Sequence, residues 1–390
     1  VNELLSEFSL GSGDRTIVIK DSIDIKGLRT SMGSRAFASD SPAASHAEIV
    51  DLLIDANWRI VGKANMHELA FGMTGINDYA GTPTNPQGEE LIPGGSSSGS
   101  AAAVGRGLAQ AAIGTDTGGS IRGPASCCGV IGLKPTFGRV SRIGVLPMES
   151  SLDCVGPFAR SMSVITDVMS AIAPNFDSNA ADFKRVNAAG VRVGMVRAQA
   201  DSAITSAIKT TIYESGLAHA ELDLLKISDA FNAGLTVINA ETWLAFGHLC
   251  GKALLGPDIE ARLLSASRES PSSIAAAEVV RKVFTAEVDN ALDQFDVLVL
   301  PTMPAPPITL NAARGGASVI GLSSLIRPFN LSGHPAISIP VPVFGHVVLA
   351  GLQVVGRRGA DERICAIAQL LEASMSSRLR MHRQLQHQHS

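Results

Sequence analysis

The sequence predicts an α/β fold, one domain built on a central, mixed but mostly parallel sheet with helices on both sides. Three observations predict it. Short apolar runs recur along the chain, RTIVIK at 15–20, WRIVGK at 58–63 and FDVLVL at 295–300, each the length of a buried strand. Longer segments with helical spacing lie between them, such as AEIVDLLIDA at 47–56, which sets Ile49, Leu52 and Leu53 on one face. The composition, 45% apolar with only 4% aromatic residues, is that of an Ala/Gly/Val/Ile-rich α/β chain. At 390 residues the chain can bury a large core.

Taken in order, Asn2–Phe8 reads as one or two helical turns, and Arg15–Lys20 as a strand that ends on Lys20. A helix over 47–56 leads to the strand Trp58–Lys63. Asn65–Gly72 then starts a short helix or loop. Its His67-Glu68 pair lacks a second histidine four residues on, because Phe71 stands there, so a zinc helix is excluded and a packing or capping role is assigned. Thr82–Pro86 is turn chemistry. Ala101–Gln110 is a small-residue helix packed closely on the sheet, and Ala111–Thr115 is the strand that delivers Asp116–Ser120. A helix near Met162–Ile172 is followed by a linker-like break at 174–179. Val191–Val196 is a new strand and Ala203–Ser215 a helix; from there to about Asn290 the chain reads as largely helical. Leu322–Asn330 is helical, Ala336–Pro340 and Gly351–Val355 are strands, and Ala360–Glu372 is the last helix. The domain thus divides into a core over residues 15–175 and 291–375, a variable helical insert over 176–290, and a frayed polar tail over 376–390. No metal role is read for His382, His387 and His389 in that tail.

Charged residues make up 17% of the chain and the net charge is −4, which gives no electrostatic footprint for nucleic acid. The five cysteines, Cys127, Cys128, Cys154, Cys250 and Cys365, form no CxxC or Cys/His metal spacing, which points to reduced thiols in a cytoplasmic protein. There is no basic-then-apolar leader at the N-terminus and no apolar run of about 18 residues to span a membrane.

The chemistry is concentrated between Gly94 and Thr136. Two glycine–serine loops lie there, Gly94–Ser100 (GGSSSGS) and Thr115–Arg122 (TDTGGSIR). Glycine permits positive φ and close backbone approach, so such loops can aim several N–H groups at one point. A serine in that setting has anion-stabilising donors beside it, which is half of what acyl transfer needs. A phosphate-binding reading fails, because GxxxxGK[ST] is absent and no lysine follows the glycines. Asp116 and Arg122 read as a buried charge pair that holds the second loop, and Ser97, Ser98 and Ser100 as hydrogen-bond donors to loop backbone.

Ser96 and Ser120, 24 residues apart, with Lys20 upstream in IVIKD, form an ordered set that resembles the amidase signature family. PGGSSSGSAAAV, GTDTGGSIRGPASCCGVIGLKPT, GRVSRIGVLPMESSLDCVGPFAR, PTMPAPP and PFNLSGHPAISIPV carry the likeness, over about Ile17–Arg160 and again Phe295–Glu372. The resemblance implies the amidase-signature fold, with Ser120 as nucleophile, Ser96 as bridging serine and Lys20 as base. It also implies a cis peptide at Ser96. Elementary chemistry agrees in kind: a serine hydroxyl needs a neighbour to take its proton, Ser–Lys arrangements do this, and the lysine must be neutral. The N–H groups of Thr117, Gly118, Gly119 and Ser120 are the candidate oxyanion hole. Met73, Gly95 and Gly123 are the candidate substrate-binding positions. Gly123 stands where the family more often has a larger residue, so a roomier pocket floor is expected. Family members carry several dozen helical residues before the lysine, so an N-terminal helical layer is expected to be missing or trimmed here.

The activity implied is hydrolysis of a carboxylic amide to acid plus ammonia or amine, without metal or organic cofactor. The His67–Gly72 segment (HELAFG) is similar to that of indoleacetamide, mandelamide and other arylacetamide hydrolases, which favours a free-standing amidase acting on small aryl, arylacetamide or aliphatic amides. The insert would shape that specificity from above the active-site mouth. The expected partner is the small-molecule amide, with no nucleic acid and no membrane, and a homodimer is held open. Two alternatives stand beside it: the glutaminase (A) subunit of an Asn/Gln-tRNA amidotransferase, and an inactive amidase-fold binding protein.

Overall fold

The computed structural model describes residues 2–389, with the side chains of Met381 and of residues 383–389 outside the description; the readings of His387 and His389 fall there. The described strands are β1 (Leu4–Leu10), β2 (Arg15–Lys20), β3 (Trp58–Ala64), β4 (Ala111–Asp116), β5 (Ile131–Lys134), β6 (Cys154–Ala159), β7 (Arg192–Val196), β8 (Ala218–Leu222), β9 (Val297–Pro301), β10 (Ala336–Val341) and β11 (Ala350–Gly356). They form one sheet in the order β1-β3-β2-β4-β6-β5-β10-β11-β9-β7-β8. The helices are α1 (Glu48–Asp55), α2 (Ser98–Gly105), α3 (Arg122–Cys128), α4 (Met162–Ile172), α5 (Ser202–Ser215), α6 (Ile227–Phe246), α7 (Pro257–Ala266), α8 (Pro271–Gln294), α9 (Leu310–Arg314), α10 (Arg327–Leu331) and α11 (Asp361–His389).

Alternation along the strands places the layers. Ile17 and Ile19 of β2, with Ile113 of β4, enter a core shared with α1, α4, α5 and α11. Val18 and Ala112, one residue out of phase, pack against Ala101–Val104 of α2 and Ala125 of α3 on the opposite face. Strands covered on both faces read as continuous apolar runs, which is why RTIVIK and FDVLVL are recognisable. Lys20 shares the phase of Val18, so it ends β2 on the side of α2.

The α/β class and the helices on both faces are as expected, but the share of parallel pairing is corrected. β2 runs parallel to β3 and β4, and β7 to β8 and β9. The remaining neighbours, such as β4 with β6 and β10 with β11, are antiparallel. Parallel pairs need a crossover, as α1 and α5 provide, whereas β10 and β11 are joined by a short loop that turns the chain straight back.

Other elements also differ from expectation. Residues 4–10 are not helical: they form an edge strand antiparallel to β3, and pairing along that free edge overrides the local pattern. β8 interrupts the stretch read as largely helical, and with β7 it extends the main sheet from within residues 176–290. Leu322–Asn330 is split between a short 3₁₀ turn at Ile320–Ser323 and α10. α11 continues to His389 through the stretch expected to fray. Leu371, Met375 and Leu379, recurring every four residues on the buried face, anchor it as far as residue 379.

Candidate active site

β2 ends on Lys20 in the protein interior. The side chain is fully buried, and its Nζ lies 2.7 Å from Ser96 Oγ and 2.8 Å from Thr115 Oγ1 of β4. The adjacent Asp21 does not pair with it: Asp21 Oδ1 lies 3.0 Å from Lys63 Nζ. Burial pulls the Lys20 amine from 10.5 down to about 7, against the opposing fields of Asp153 and Asp116. Asp153 is itself held in place, accepting from Thr117 Oγ1 at 2.8 Å and from Arg142 Nε at 3.0 Å.

Ser96 stands immediately before the Ser97 that leads into α2, and the Gly95–Ser96 peptide is cis. Its carbonyl accepts from the His67 N–H at 3.0 Å, and the next N–H, that of Ser97, donates to the Ser120 carbonyl at 3.3 Å. The two glycine–serine loops are thus stitched to one another by backbone. Ser97 Oγ donates to the Thr115 carbonyl at 3.1 Å and Ser100 Oγ to that of Ile113 at 2.9 Å. Ser97 fulfils the expected loop-holding role, whereas Ser100 ties α2 to the body of β4 rather than to loop backbone. Ser98 does neither, since its buried Oγ has no partner among the described residues. No direct hydrogen bond joins Ser96 Oγ to Ser120 Oγ among the described contacts; Ser120 itself keeps 6% of its surface exposed.

Asp116 organises the second loop. Its Oδ1 accepts from the Gly119 N–H at 2.8 Å, and its Oδ2 from those of Ile121 and Arg122 at 3.1 and 3.2 Å. Arg122 closes a two-point bridge on the same carboxylate, Nε to Oδ2 at 3.0 Å and Nη2 to Oδ1 at 2.9 Å. Its Nη1 spans to the Ile326 carbonyl at 2.8 Å and to Gln353 Oε1 at 2.7 Å. Burial would raise the Asp116 pKa, but Arg122 and Asn330 hold it well below the usual carboxylate range. Both members of the pair are wholly buried. Asp116→Asn leaves the Arg122 charge uncompensated and is expected to lower unfolding free energy by about 3–5 kcal/mol, measured by urea denaturation. A loss near zero would contradict the scaffold role.

This network corrects one expectation. The Gly119 N–H is committed to Asp116 and cannot face an oxyanion. The N–H groups of Thr117, Gly118 and Ser120 have no acceptor among the described residues, so they remain as donors. Gly119 serves the loop by conformation: its φ is +115°, and an added Cβ would stand 2.2 Å from Ile326 Cδ1.

The amidase family model matches residues 16–365. The chain belongs to the amidase family. The A subunit of glutamyl-tRNA(Gln) amidotransferase from Deinococcus radiodurans is 33% identical, over 94% of this chain and 85% of that one. The crystal structure of the protein of that name from Thermotoga maritima matches with a TM-score of 0.81 at 28% identity, over 95% of this chain and 87% of that one. A chain from a vestigial protein complex, described as revealing the origins of an s-triazine catabolic enzyme, matches with a TM-score of 0.85 at 25% identity, covering 94% and 85%. The protein is an amidase-family enzyme.

Within this amidase the substrate-binding candidates separate. Gly123 and Met73 meet: a Cβ at 123 would lie 3.1 Å from Met73 Cε and 3.5 Å from Ile326 Cδ1. The room that the glycine leaves is therefore taken by the methionine, which corrects the expectation of an open floor. Gly95 is a packing position, where a Cβ would stand 2.5 Å from the Gly72 carbonyl. His67 is buried with its ring against Gly72, and burial, then Arg262 and Lys20, pull it down to about 3. Its Nδ1 lies 3.4 Å from Thr74 Oγ1, its buried Nε2 has no partner among the described residues, and its side chain makes no helix cap. Sequence reasoning missed Thr115 as the second partner of Lys20, Asn330 as a third arm on Asp116, and Ile238, Ile326 and Arg327 as neighbours of Gly118 and Gly119. The TDTGG spacing could have found Thr115, which precedes Asp116 directly. The others come from elements distant in sequence.

Proposed function

We propose that this amidase cleaves a carboxylic amide through an acyl-Ser120 intermediate, with Ser96 as proton relay and Lys20 as base. The observation that carries the reading is the buried Lys20 Nζ, 2.7 Å from Ser96 Oγ and shifted to about 7. At that value much of the amine is neutral near pH 7, where it can accept a proton from Ser96 while donating to Thr115. Ser120 Oγ attacks the carbonyl carbon and its proton passes to Ser96, whose own proton passes to Lys20. The tetrahedral oxyanion takes hydrogen bonds from the free N–H groups of Thr117, Gly118 and Ser120; each such donor is worth about 2.7–4 kcal/mol. The protonated lysine, again through Ser96, gives its proton to the departing nitrogen. The C–N bond breaks and ammonia or an amine leaves. Water then attacks the ester by the same relay, releasing the acid and restoring Ser120.

For substrate and setting, the relatives support the glutaminase reading better than the free-standing one. Curated chains 31–33% identical over about nine-tenths of this one bear the name of the amidotransferase A subunit. In this reading the chain releases ammonia from glutamine within a larger assembly. The free-standing arylacetamide hydrolase, suggested by the HELAFG segment, is the second reading. The inactive binding protein is disfavoured by the presence of Lys20, Ser96 and Ser120 together. Ammonia release from glutamine, acetamide, phenylacetamide and indoleacetamide separates them. Glutamine turnover that rises on adding partner subunits, with arylacetamides inert, is expected. Brisk phenylacetamide or indoleacetamide hydrolysis by the isolated chain would transfer the assignment to the second reading.

A further inference from the structure

Arg327 begins α10 and lies against the catalytic loop. Its Nε is 3.5 Å from where a Cβ on Gly118 would stand, and its Cγ and Cδ run along Gly234 of α6. The Phe231 ring lies under the guanidinium at 4.4 Å. The side chain is only 5% exposed. Nη2 donates to Ser323 Oγ at 2.7 Å, but Nε and Nη1 have no acceptor among the described residues. Burial, then the field of Arg262, pulls this guanidinium down to about 10, and no carboxylate counters them. Arg122 offers the contrast within the same molecule: equally buried, it spends its donors on Asp116, Asn330, Gln353 and a carbonyl. A buried guanidinium with no anionic partner and two idle donors is costly in a folded protein unless an anion arrives to meet it. The planar fork favours a carboxylate, and the apolar walls of Ile238, Ile326 and Phe231 beside it suit a short carbon chain.

We propose that Arg327 is a specificity-determining residue that binds a carboxylate at the far end of the acyl chain, so that the site takes monoamides of short dicarboxylic acids, glutamine among them. This rests on the acyl-Ser120 reading. The test compares kcat/KM within matched pairs, succinamate against butanamide, and glutaramate and glutamine against pentanamide, for the wild type, Arg327→Met and Arg327→Lys. In at least one pair the wild type is expected to favour the carboxylated member by about 100-fold, the effect of a desolvated charge-assisted contact. Arg327→Met should lose that preference, its carboxylated substrate falling far more than the neutral one and mainly through KM, and Arg327→Lys should recover part of it. A wild type with no preference in any pair, or with no carboxylated amide hydrolysed, overturns the proposal. So does an Arg327→Met variant that lowers both members equally, which is a packing effect. Fluorophosphonate labelling of Ser120 in the same preparations separates the two levels. Without labelling, the nucleophile assignment fails and this inference with it; with labelling, the substrate pairs alone decide.

Discussion

Ser120→Ala is expected to lower kcat/KM for the best amide by about 10⁵-fold or more, without loss of the fold. The size follows from what the hydroxyl does. Alanine cannot form the ester, so both half-reactions disappear, and only oxyanion donors and substrate positioning remain to catalyse direct attack by water. The structural cost is small, because the described bond made by Ser120 is through its carbonyl, which accepts from Ser97 N–H. That bond and the free Ser120 N–H survive the substitution. Ammonia release, together with an unchanged urea midpoint, measures the two sides. Activity above about one hundredth of the wild type would remove Ser120 from the role of nucleophile.

Lys20→Ala is expected to cost about 10⁴-fold, the upper range for loss of a general base and its relay. It should also erase a pH dependence. Only the neutral amine can take the proton from Ser96, and deprotonation occurs as pH rises through about 7. The wild-type kcat/KM should therefore climb about tenfold per pH unit below 7 and level off above it. Lys20→Ala should lack that limb, and so should Lys20→Arg, since a guanidinium stays charged throughout. The same shift has a stability consequence of defined sign. The folded-state pKa lies below the ordinary lysine value of 10.5, so the unfolded chain binds more protons between about 7 and 10.5, and stability rises with pH across that window. A pH–rate limb that persists in Lys20→Ala belongs to another group and would contradict the base assignment.

Much of the site is legible because its residues sit where local sequence has few choices. A strand covered on both faces must be continuously apolar, so a lysine at its end stands out, and RTIVIK advertises Lys20. The glycines of TDTGGS mark backbone that no side chain could accompany, as the φ of +115° at Gly119 bears out. What the string does not convey is direction. Nothing in TDTGGS says that the Gly119 N–H turns back to Asp116 rather than outward, because that depends on where Arg122 and Asn330 draw the carboxylate. Edge elements are poorly legible for a related reason. β1 and β8 are half-exposed strands whose state is decided by a neighbouring strand distant in sequence. The Leu371, Met375 and Leu379 spacing does carry the extension of α11 as far as residue 379, but polar residues around it mask the stripe. Arg327 is invisible at the level of sequence: an arginine before Pro328 looks like any surface charge until burial and missing partners are seen together.

The covalent step at Ser120 is tested most directly by intact-mass and peptide analysis after reaction with a fluorophosphonate. A single adduct mapped to Ser120, forming faster as pH rises through about 7 and absent in Ser120→Ala, is the expected result. No adduct, or one on Ser96 or any other residue while Ser120 stays unmodified, would contradict it.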